Sequence, residues 1–388
     1  MTFSVSDTRF LIERLAAGQP PPPRLAAKVI VGYDALLNQW GGDLGGYVAS
    51  GGSLIRIVSA QAGTGKTHLA RAVEARAASM GFLVCHIDAQ AQHTDDDLSL
   101  YAAFCNGLRS PSSVLFDEIN SGLVSILEGV AERMVGSELK LALRRAKLPL
   151  VVFEDILPGL VDEIRRVNAA SGRIDSMVLG GIAVLGTLLS GERVFETRSL
   201  PKIRQAYSYP LLRRLSRLPG KRDAKLWLES LLRAIPAMGF KGVLIVLDEH
   251  DSLTRKILDQ HIVQLRRILD KLTEGHLPGV FAVYFVLDNF SERVSECNAA
   301  LDQRIKPILE GPVPHRILSS LEDHRGIGDF EFLQMLGEQI YSLVGPLPLT
   351  EKIAARVREC AVRNVTLGMV NTRQFVIEIS NYLLDTVI

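Results

Sequence analysis

Residues 53–88 read SLIRIVSAQAGTGKTHLARAVEARAASMGFLVCHID, and this stretch carries the clearest secondary-structure pattern in the chain. The β-branched run at 53–58 predicts a strand, the glycine-rich stretch at 60–67 predicts a tight turn, and apolar residues spaced by four within 68–80 predict a helix. Residues 81–88 predict a second strand. Strand, turn, helix and strand in so short a stretch form a βαβ unit, which requires a parallel sheet covered by helices.

The turn AQAGTGKT fits a phosphate-binding loop whose first position is alanine rather than glycine. Gly63 and Gly65 allow the backbone to curl so that amide groups point at phosphate oxygens. The helix that follows adds the positive end of its dipole. We expect Lys66 to contact the β- and γ-phosphates and Thr67 to ligate Mg²⁺. The predicted nucleotide-contacting residues of this segment are Ala60, Gln61, Ala62, Gly63, Thr64, Gly65, Lys66, Thr67 and His68.

Two later apolar runs, GVLIVL at 242–247 and GVFAVYFVL at 279–287, predict further buried parallel strands. Asp248 and Glu249 follow the first run, at the sheet edge where ligands bind in folds of this kind. We expect Asp248 to hold Mg²⁺ through water. Glu249 would orient and polarise the attacking water, because phosphoryl transfer depends mainly on positioning and charge neutralisation.

Four further polar residues are candidates for the reaction centre. Asp288 and Asn289 end the second apolar run, where a polar side chain would contact the γ-phosphate or the water; an ordinary turn is the alternative. Arg304 is interpreted as an arginine finger that reaches a neighbouring subunit, and Arg373 as one that acts within its own chain. For both arginines the alternative is a simple surface residue.

Composition limits the classes of function. The chain has 388 residues with 44 basic and 43 acidic side chains, a net charge of +1, which argues against binding to nucleic acid through overall charge. A local basic stretch at 198–225, with Tyr207 and Tyr209 among the basic residues, indicates either contact with DNA or RNA phosphates or a solvated helix face.

Neither a metal framework nor a membrane span is indicated by the sequence. The four cysteines lack the spacing of zinc ligands or of a disulfide framework, and the histidines form no metal-binding motif. The longest nearly apolar run, at 177–189, is shorter than the roughly 18 residues that span a bilayer. No secretion signal is evident, so we expect a cytoplasmic protein.

These motifs, taken in order, resemble the P-loop ATP-binding proteins associated with BREX-type phage-defence systems (BrxD-like), which are similar to the origin-recognition branch of AAA+ ATPases. The resemblance covers most of the chain. The segments that carry it are AAGQPPPP (16–23), the stretch at 55–90, MGFKGVLIVLDEHDSL (238–253), the stretch at 265–290, LDQRI (301–305) and NTRQF (371–375).

The resemblance implies a domain plan. A helical segment at 1–50 would precede a P-loop AAA+ core at 51–325, an α/β fold with a parallel sheet flanked by helices and a helical insertion at about 105–235. Residues 326–388 would form a helical or winged-helix lid. By analogy, Val31, Gly32 and Tyr33 would border the adenine. The family also implies a homo-oligomer, ATP and Mg²⁺ as ligands, other defence-system proteins as partners, and double-stranded DNA as a possible one.

Three classes of function stay open from the sequence. The first is an AAA+-type ATPase that couples nucleotide state to conformational change or assembly on DNA. The second is a slow ATP-gated switch that acts through protein partners alone, which the near-neutral charge favours. A small-molecule kinase is weaker because no acceptor-binding lid motif is evident. A GTPase is disfavoured because the sequence contains no Asn-Lys-x-Asp motif.

Overall fold

The computed structural model describes residues 5–88, 97–116, 239–248, 277–305, 317–345, 349–366 and 369–386, together with isolated positions between 122 and 272. Three sequence-based predictions fall outside these residues: the catalytic role of Glu249, the basic stretch at 198–225 and most of the insertion at 105–235.

A six-stranded sheet organises the molecule, with strand order β3-β2-β4-β5-β1-β6. All neighbouring strands pair in parallel except β3, which runs antiparallel to β2. The prediction of an α/β fold is confirmed. The strands are β1 (Ser53–Ser59), β2 (Leu83–Asp88), β3 (Leu108–Arg109), β4 (Val243–Asp248), β5 (Val280–Val286) and β6 (Leu318–Ser320).

Helices cover both faces of the sheet, so the central strands are apolar on both sides. All seven residues of β5 are buried. Alternate side chains of β5 enter different clusters: Phe281 and Val283 pack with the helix that follows the loop, and Ala282 and Tyr284 pack on the opposite face. Burial on two faces explains why these strands appear in the sequence as continuous apolar runs.

The described helices fall into an N-terminal set, a set that covers the sheet and a C-terminal set. A π-helical turn, Leu44–Val48, continues α3, and a 3₁₀ turn, Glu322–His324, follows β6. The helices are α1 (Val5–Ala16), α2 (Pro23–Ala26), α3 (Asp34–Asp43), α4 (Lys66–Ser79), α5 (Asp97–Gly107), α6 (Pro111–Phe116), α7 (Phe290–Cys297), α8 (Ala299–Ile305), α9 (Asp329–Ser342), α10 (Glu351–Asn364) and α11 (Thr372–Thr386).

The two ends of the described chain meet beside the sheet. Helix α1 packs along α11. The proline-rich connector after α1 is held by the Arg14 guanidinium, which donates to the Pro20 carbonyl at 3.0 and 3.2 Å. Asp7 of α1 forms a salt bridge with Arg24 of α2, with 2.8 Å between the charged atoms. These contacts hold the connector against α1, and α2, which follows the connector, packs on α4.

Residues after 326 form helices α9, α10 and α11 and a small antiparallel hairpin of β7 (Val365–Thr366) and β8 (Met369–Val370). The hairpin joins α10 to α11. We call α9–α11 the C-terminal helices. Their buried side chains pack with those of α1 and α4 in one cluster, which includes Phe332, Leu336 and Phe375. No helix in the described part of the chain is long and apolar enough to cross a bilayer.

Candidate functional site

The loop between β1 and α4 has the backbone that the sequence predicts. Gly63 has φ = 80° and Gly65 has φ = 106°, both in the left-handed region that favours glycine. Gly65 is the residue that precedes the first turn of α4, which begins at Lys66. The first amides of a helix lack partners within that helix, so this curled turn suits the binding of an anion.

Lys66 points its ammonium group back at the loop. Nζ donates to the Ala60 carbonyl at 2.7 Å and to the Gln61 carbonyl at 3.0 Å. The Thr64 hydroxyl donates to the Gln61 carbonyl at 2.8 Å. Lys66 is 6% exposed, so its positive charge lies almost out of solvent beside the loop backbone. A charge that is little screened by water attracts phosphate oxygens strongly.

A cavity of about 320 Å³ opens over this loop. That volume lies at the small end of the range for ligand pockets. One part of the lining is the loop and the first turn of α4, and the other is mostly apolar and comes from the N-terminal segment and the C-terminal helices. The lining residues are Leu15, Gly18, Gln19, Pro20, Val29, Ile30, Val31, Tyr33, Ala62 to Leu69, Phe332, Leu336, Ile340, Thr372, Arg373 and Val376.

Tyr33 and Phe332 form an aromatic wall of the cavity. Their rings meet edge to face, with centroids 6.1 Å apart and an angle of 71° between planes. Burial raises the pKa of Tyr33, so its hydroxyl stays neutral at physiological pH. Val31 also lines the cavity. Gly32 has φ = 77°, and a side chain there would approach Arg325.

Asp248 is the last residue of β4 and is 2% exposed. Strand β5 lies between β4 and the loop-bearing β1. Two inter-strand spacings separate Asp248 from the end of β1 by about 10 Å, which leaves room for a hydrated cation. Thr67 and Asp248 offer the hard oxygen ligands that Mg²⁺ prefers. Among the described residues there is no cluster of three or more metal-ligating side chains.

Asp88 is a neighbour of Asp248 that sequence reasoning did not select. The two are partners in the β2–β4 register, and each is the last residue of its strand. An acidic residue at the end of the second predicted strand was visible in the sequence. Its place beside Asp248 follows only from the strand order.

The other predicted reaction-centre residues lie in different places. Asp288 and Asn289 are exposed at the end of β5, and Asn289 precedes α7. Arg304 on α8 pairs with Asp270 and, within the described residues, is not part of the cavity lining. Arg373 lines the cavity, and its backbone amide donates to the Gly63 carbonyl at 3.0 Å.

His68 lines the cavity, but its ring is engaged elsewhere. Nε2 lies 3.0 Å from the Ala26 carbonyl of α2 and donates to it. Burial lowers the pKa of His68 to about 4, although its hydrogen bond to Ala26 acts in the opposite direction. A neutral imidazole bonded to α2 holds the start of α4 against the N-terminal segment and brings no positive charge to the loop.

Residues 4–130 match the family model described as BREX system ATP-binding protein BrxC/D. This match confirms the resemblance to a BREX-associated ATP-binding family. It covers about a third of the 388 residues and includes α1, β1, the loop, α4 and β2. No curated protein and no solved structure matches the chain. The matched range includes the loop, whereas Asp248 and Arg373 lie outside it.

Proposed function

We propose that this chain is a Mg²⁺-dependent AAA+-type ATPase that couples its nucleotide state to conformational change or assembly in a BREX-like defence system. One observation carries the proposal: a single cavity joins the curled loop and Lys66 to an apolar wall and to Arg373. The cavity therefore has a polar end and an apolar end. A nucleoside triphosphate likewise has a charged phosphate chain at one end and a flat base at the other.

The loop would hold the triphosphate. The loop and the start of α4 line the cavity. Lys66 would turn from the Ala60 and Gln61 carbonyls toward the β- and γ-phosphates. Thr67 and Asp248 are the residues that would hold Mg²⁺, which neutralises phosphate charge when bound. Arg373 would add a second positive charge from the C-terminal helices.

The base would lie against the wall formed by Val31, Tyr33 and Phe332. Apolar and aromatic side chains bind a base mainly by excluding water from its faces. This wall comes from both the N-terminal segment and α9. Nucleotide would therefore contact three parts of the molecule at once, which gives binding a means to change their arrangement.

Polar residues at the carboxyl ends of β4 and β5 would carry out ATP hydrolysis. Glu249 follows the buried Asp248 directly in sequence and would orient the attacking water. Asp288 or Asn289, at the end of the neighbouring β5, would contact the γ-phosphate or that water. Arg304 would complete the site of an adjacent subunit, and this role requires a homo-oligomer.

Action on DNA and contact with other defence-system proteins are proposals that rest on the family resemblance. A slow ATP-gated switch without DNA is the second candidate, favoured by the net charge of +1. The test is ATP hydrolysis by the purified protein with and without duplex DNA, with Glu249→Gln as the blank. Turnover that rises with DNA and vanishes in the variant supports the DNA-coupled ATPase. Slow turnover indifferent to DNA supports the switch, and no turnover above the blank contradicts hydrolysis.

A further inference from the structure

Arg325 lies between the sheet and the C-terminal helices, in the short segment that joins β6 to α9. It is 3% exposed, which is unusual for an arginine. Burying a guanidinium is unfavourable unless its donors find partners. The contacts of this side chain therefore indicate what it is placed to do.

Three contacts hold the guanidinium, whose Nη2 has no hydrogen-bond partner among the described residues. Nη1 forms a salt bridge with Asp329 in the first turn of α9, at 2.7 Å. Nε donates to the Tyr33 hydroxyl at 3.3 Å. Its central carbon lies 4.3 Å from the centroid of the Phe332 ring, within cation–π range. Arg325 thus touches both aromatic residues of the cavity wall without itself lining the cavity.

The backbone beside Tyr33 is shaped around the same arginine. A Cβ atom at Gly32 would lie 3.3 Å from both Cγ and the carbonyl oxygen of Arg325. Glycine suits position 32 because a side chain there would be tight against Arg325 and would have to adopt φ = 77°, which L-residues rarely do. The left-handed backbone of Gly32 therefore packs directly against the buried Arg325.

We propose that Arg325 is a positioning residue for the nucleobase: it holds Tyr33 and Phe332 in the orientation that forms the base-side wall and ties that wall to the start of α9. This inference rests on the proposed nucleotide-binding function and adds a specific prediction. Removing the guanidinium should weaken binding of the base, whereas the phosphate-binding loop between β1 and α4 should keep its conformation.

The experiment compares ATP with tripolyphosphate, which carries the charge but no base. Calorimetry in the presence of Mg²⁺ measures the dissociation constant of each for the wild type, Arg325→Met and Arg358→Met. Arg358 is an exposed arginine of α10 and serves as the matched control. We expect Arg325→Met to raise the dissociation constant of ATP by about tenfold or more, as loss of a charged hydrogen-bonding group implies. That of tripolyphosphate should change less than about twofold.

An equal loss for both ligands, or no loss for either, overturns the positioning role. A wild type that binds neither ligand shows instead that the proposed nucleotide-binding function is wrong, and the positioning role with it. Tyr33→Phe removes only the hydroxyl that accepts from Arg325 and keeps the test decisive if Arg325→Met fails to fold. Tyr33→Phe should raise the dissociation constant of ATP by about twofold to fivefold, as loss of one hydrogen bond implies, and should leave that of tripolyphosphate unchanged. Unchanged affinity for ATP in Tyr33→Phe counts against the proposal. Arg325→Lys should restore only part of the affinity, because lysine lacks the planar group over Phe332.

Discussion

The backbone amide of Arg373 donates a hydrogen bond to the carbonyl of Gly63, with 3.0 Å between nitrogen and oxygen. This bond joins the first turn of α11 directly to the loop between β1 and α4. The first turn of a helix has free amides, and here one of them is used to hold the loop. The bond thereby fixes the backbone of Arg373, a residue that lines the cavity, beside the loop.

Arg373→Ala should weaken ATP binding, because it removes a positive charge from the cavity. The hydrogen bond from the backbone amide of residue 373 to the Gly63 carbonyl stays in place. Loss of one charge-assisted contact implies a dissociation constant about 10 to 100 times higher. Calorimetric titration with ATP measures it. Arg358→Ala on the exposed face of α10 is the control and should bind as the wild type does. Equal ATP affinity in Arg373→Ala and Arg358→Ala would show that the Arg373 side chain does not contact the nucleotide.

Glu74→Gln should destabilise the fold. Glu74 of α4 is fully buried and pairs with Arg71 at 3.0 Å and with His86 of β2. Burial raises the pKa of Glu74, but His86 and Arg71 outweigh burial and hold the pKa below its usual value, so the group is ionised. Removing its charge leaves the Arg71 guanidinium uncompensated and weakens the hydrogen bond with His86, at a cost of about 2–4 kcal/mol in the free energy of unfolding.

The control for Glu74 is Glu359→Gln. Glu359 pairs with Arg356 at 2.9 Å, also three residues apart on a helix, but its side chain is 58% exposed. Exposed pairs of this kind contribute less than about 1 kcal/mol. Urea denaturation of both variants separates the two environments. Equal losses would mean that the buried group does not anchor α4 to the sheet.

Gly32→Ala should destabilise the protein by about 1–2 kcal/mol, since an L-residue resists the left-handed backbone and the new methyl group meets Arg325. Gly46→Ala is the control because Gly46 is helical, with no atom within 4 Å of the added carbon. That variant should be neutral or slightly more stable. Thermal unfolding followed by circular dichroism distinguishes them. Similar midpoints would contradict the close approach of Gly32 to Arg325.

Stability should fall as the pH drops from about 6.5 toward 4, because of His68. The pKa of His68 is about 4 in the fold, below the usual 6.5, so the unfolded chain binds the proton first. Above pH 6.5 His68 is neutral in both states and the protein keeps its full free energy of unfolding. That free energy falls progressively between pH 6.5 and 4 and levels off below pH 4. The upper limit of the loss is about 3 kcal/mol, and a smaller loss is expected because part of His68 is exposed.

His68→Gln tests the origin of that pH dependence. Glutamine keeps an amide donor for the Ala26 carbonyl and does not titrate in this range. Urea denaturation at a series of pH values should show a shallower decline for the variant than for the wild type between pH 6.5 and 4. Parallel curves would assign the decline to other groups.

The main strands and the loop could be predicted from the sequence because their signals are local. Apolar runs bounded by turns predicted β1, β2, β4 and β5. Gly63 and Gly65 were expected to let the backbone curl, and both have positive φ. The short edge strands β3 and β6 could not be predicted, because two or three residues carry no periodicity.

The cavity wall depends on contacts between distant parts of the chain. Tyr33 was expected at the adenine, but its partners Arg325 and Phe332 lie about 300 residues later, and no local pattern connects them. His68 was expected to contact nucleotide from its place beside the loop. Its bond to Ala26 depends on how α2 packs on α4, which one sequence does not show.

We expect the loop around Lys66 to bind the triphosphate of ATP. Calorimetric titration of the wild type, Lys66→Ala and Lys352→Ala with ATP and Mg²⁺ tests it most directly. Lys352 lies exposed on α10 and controls for loss of a lysine charge. Binding by the wild type and by Lys352→Ala, with affinity at least about 100-fold weaker in Lys66→Ala, is the result that the proposed function predicts. Equal ATP affinity in all three proteins would contradict it.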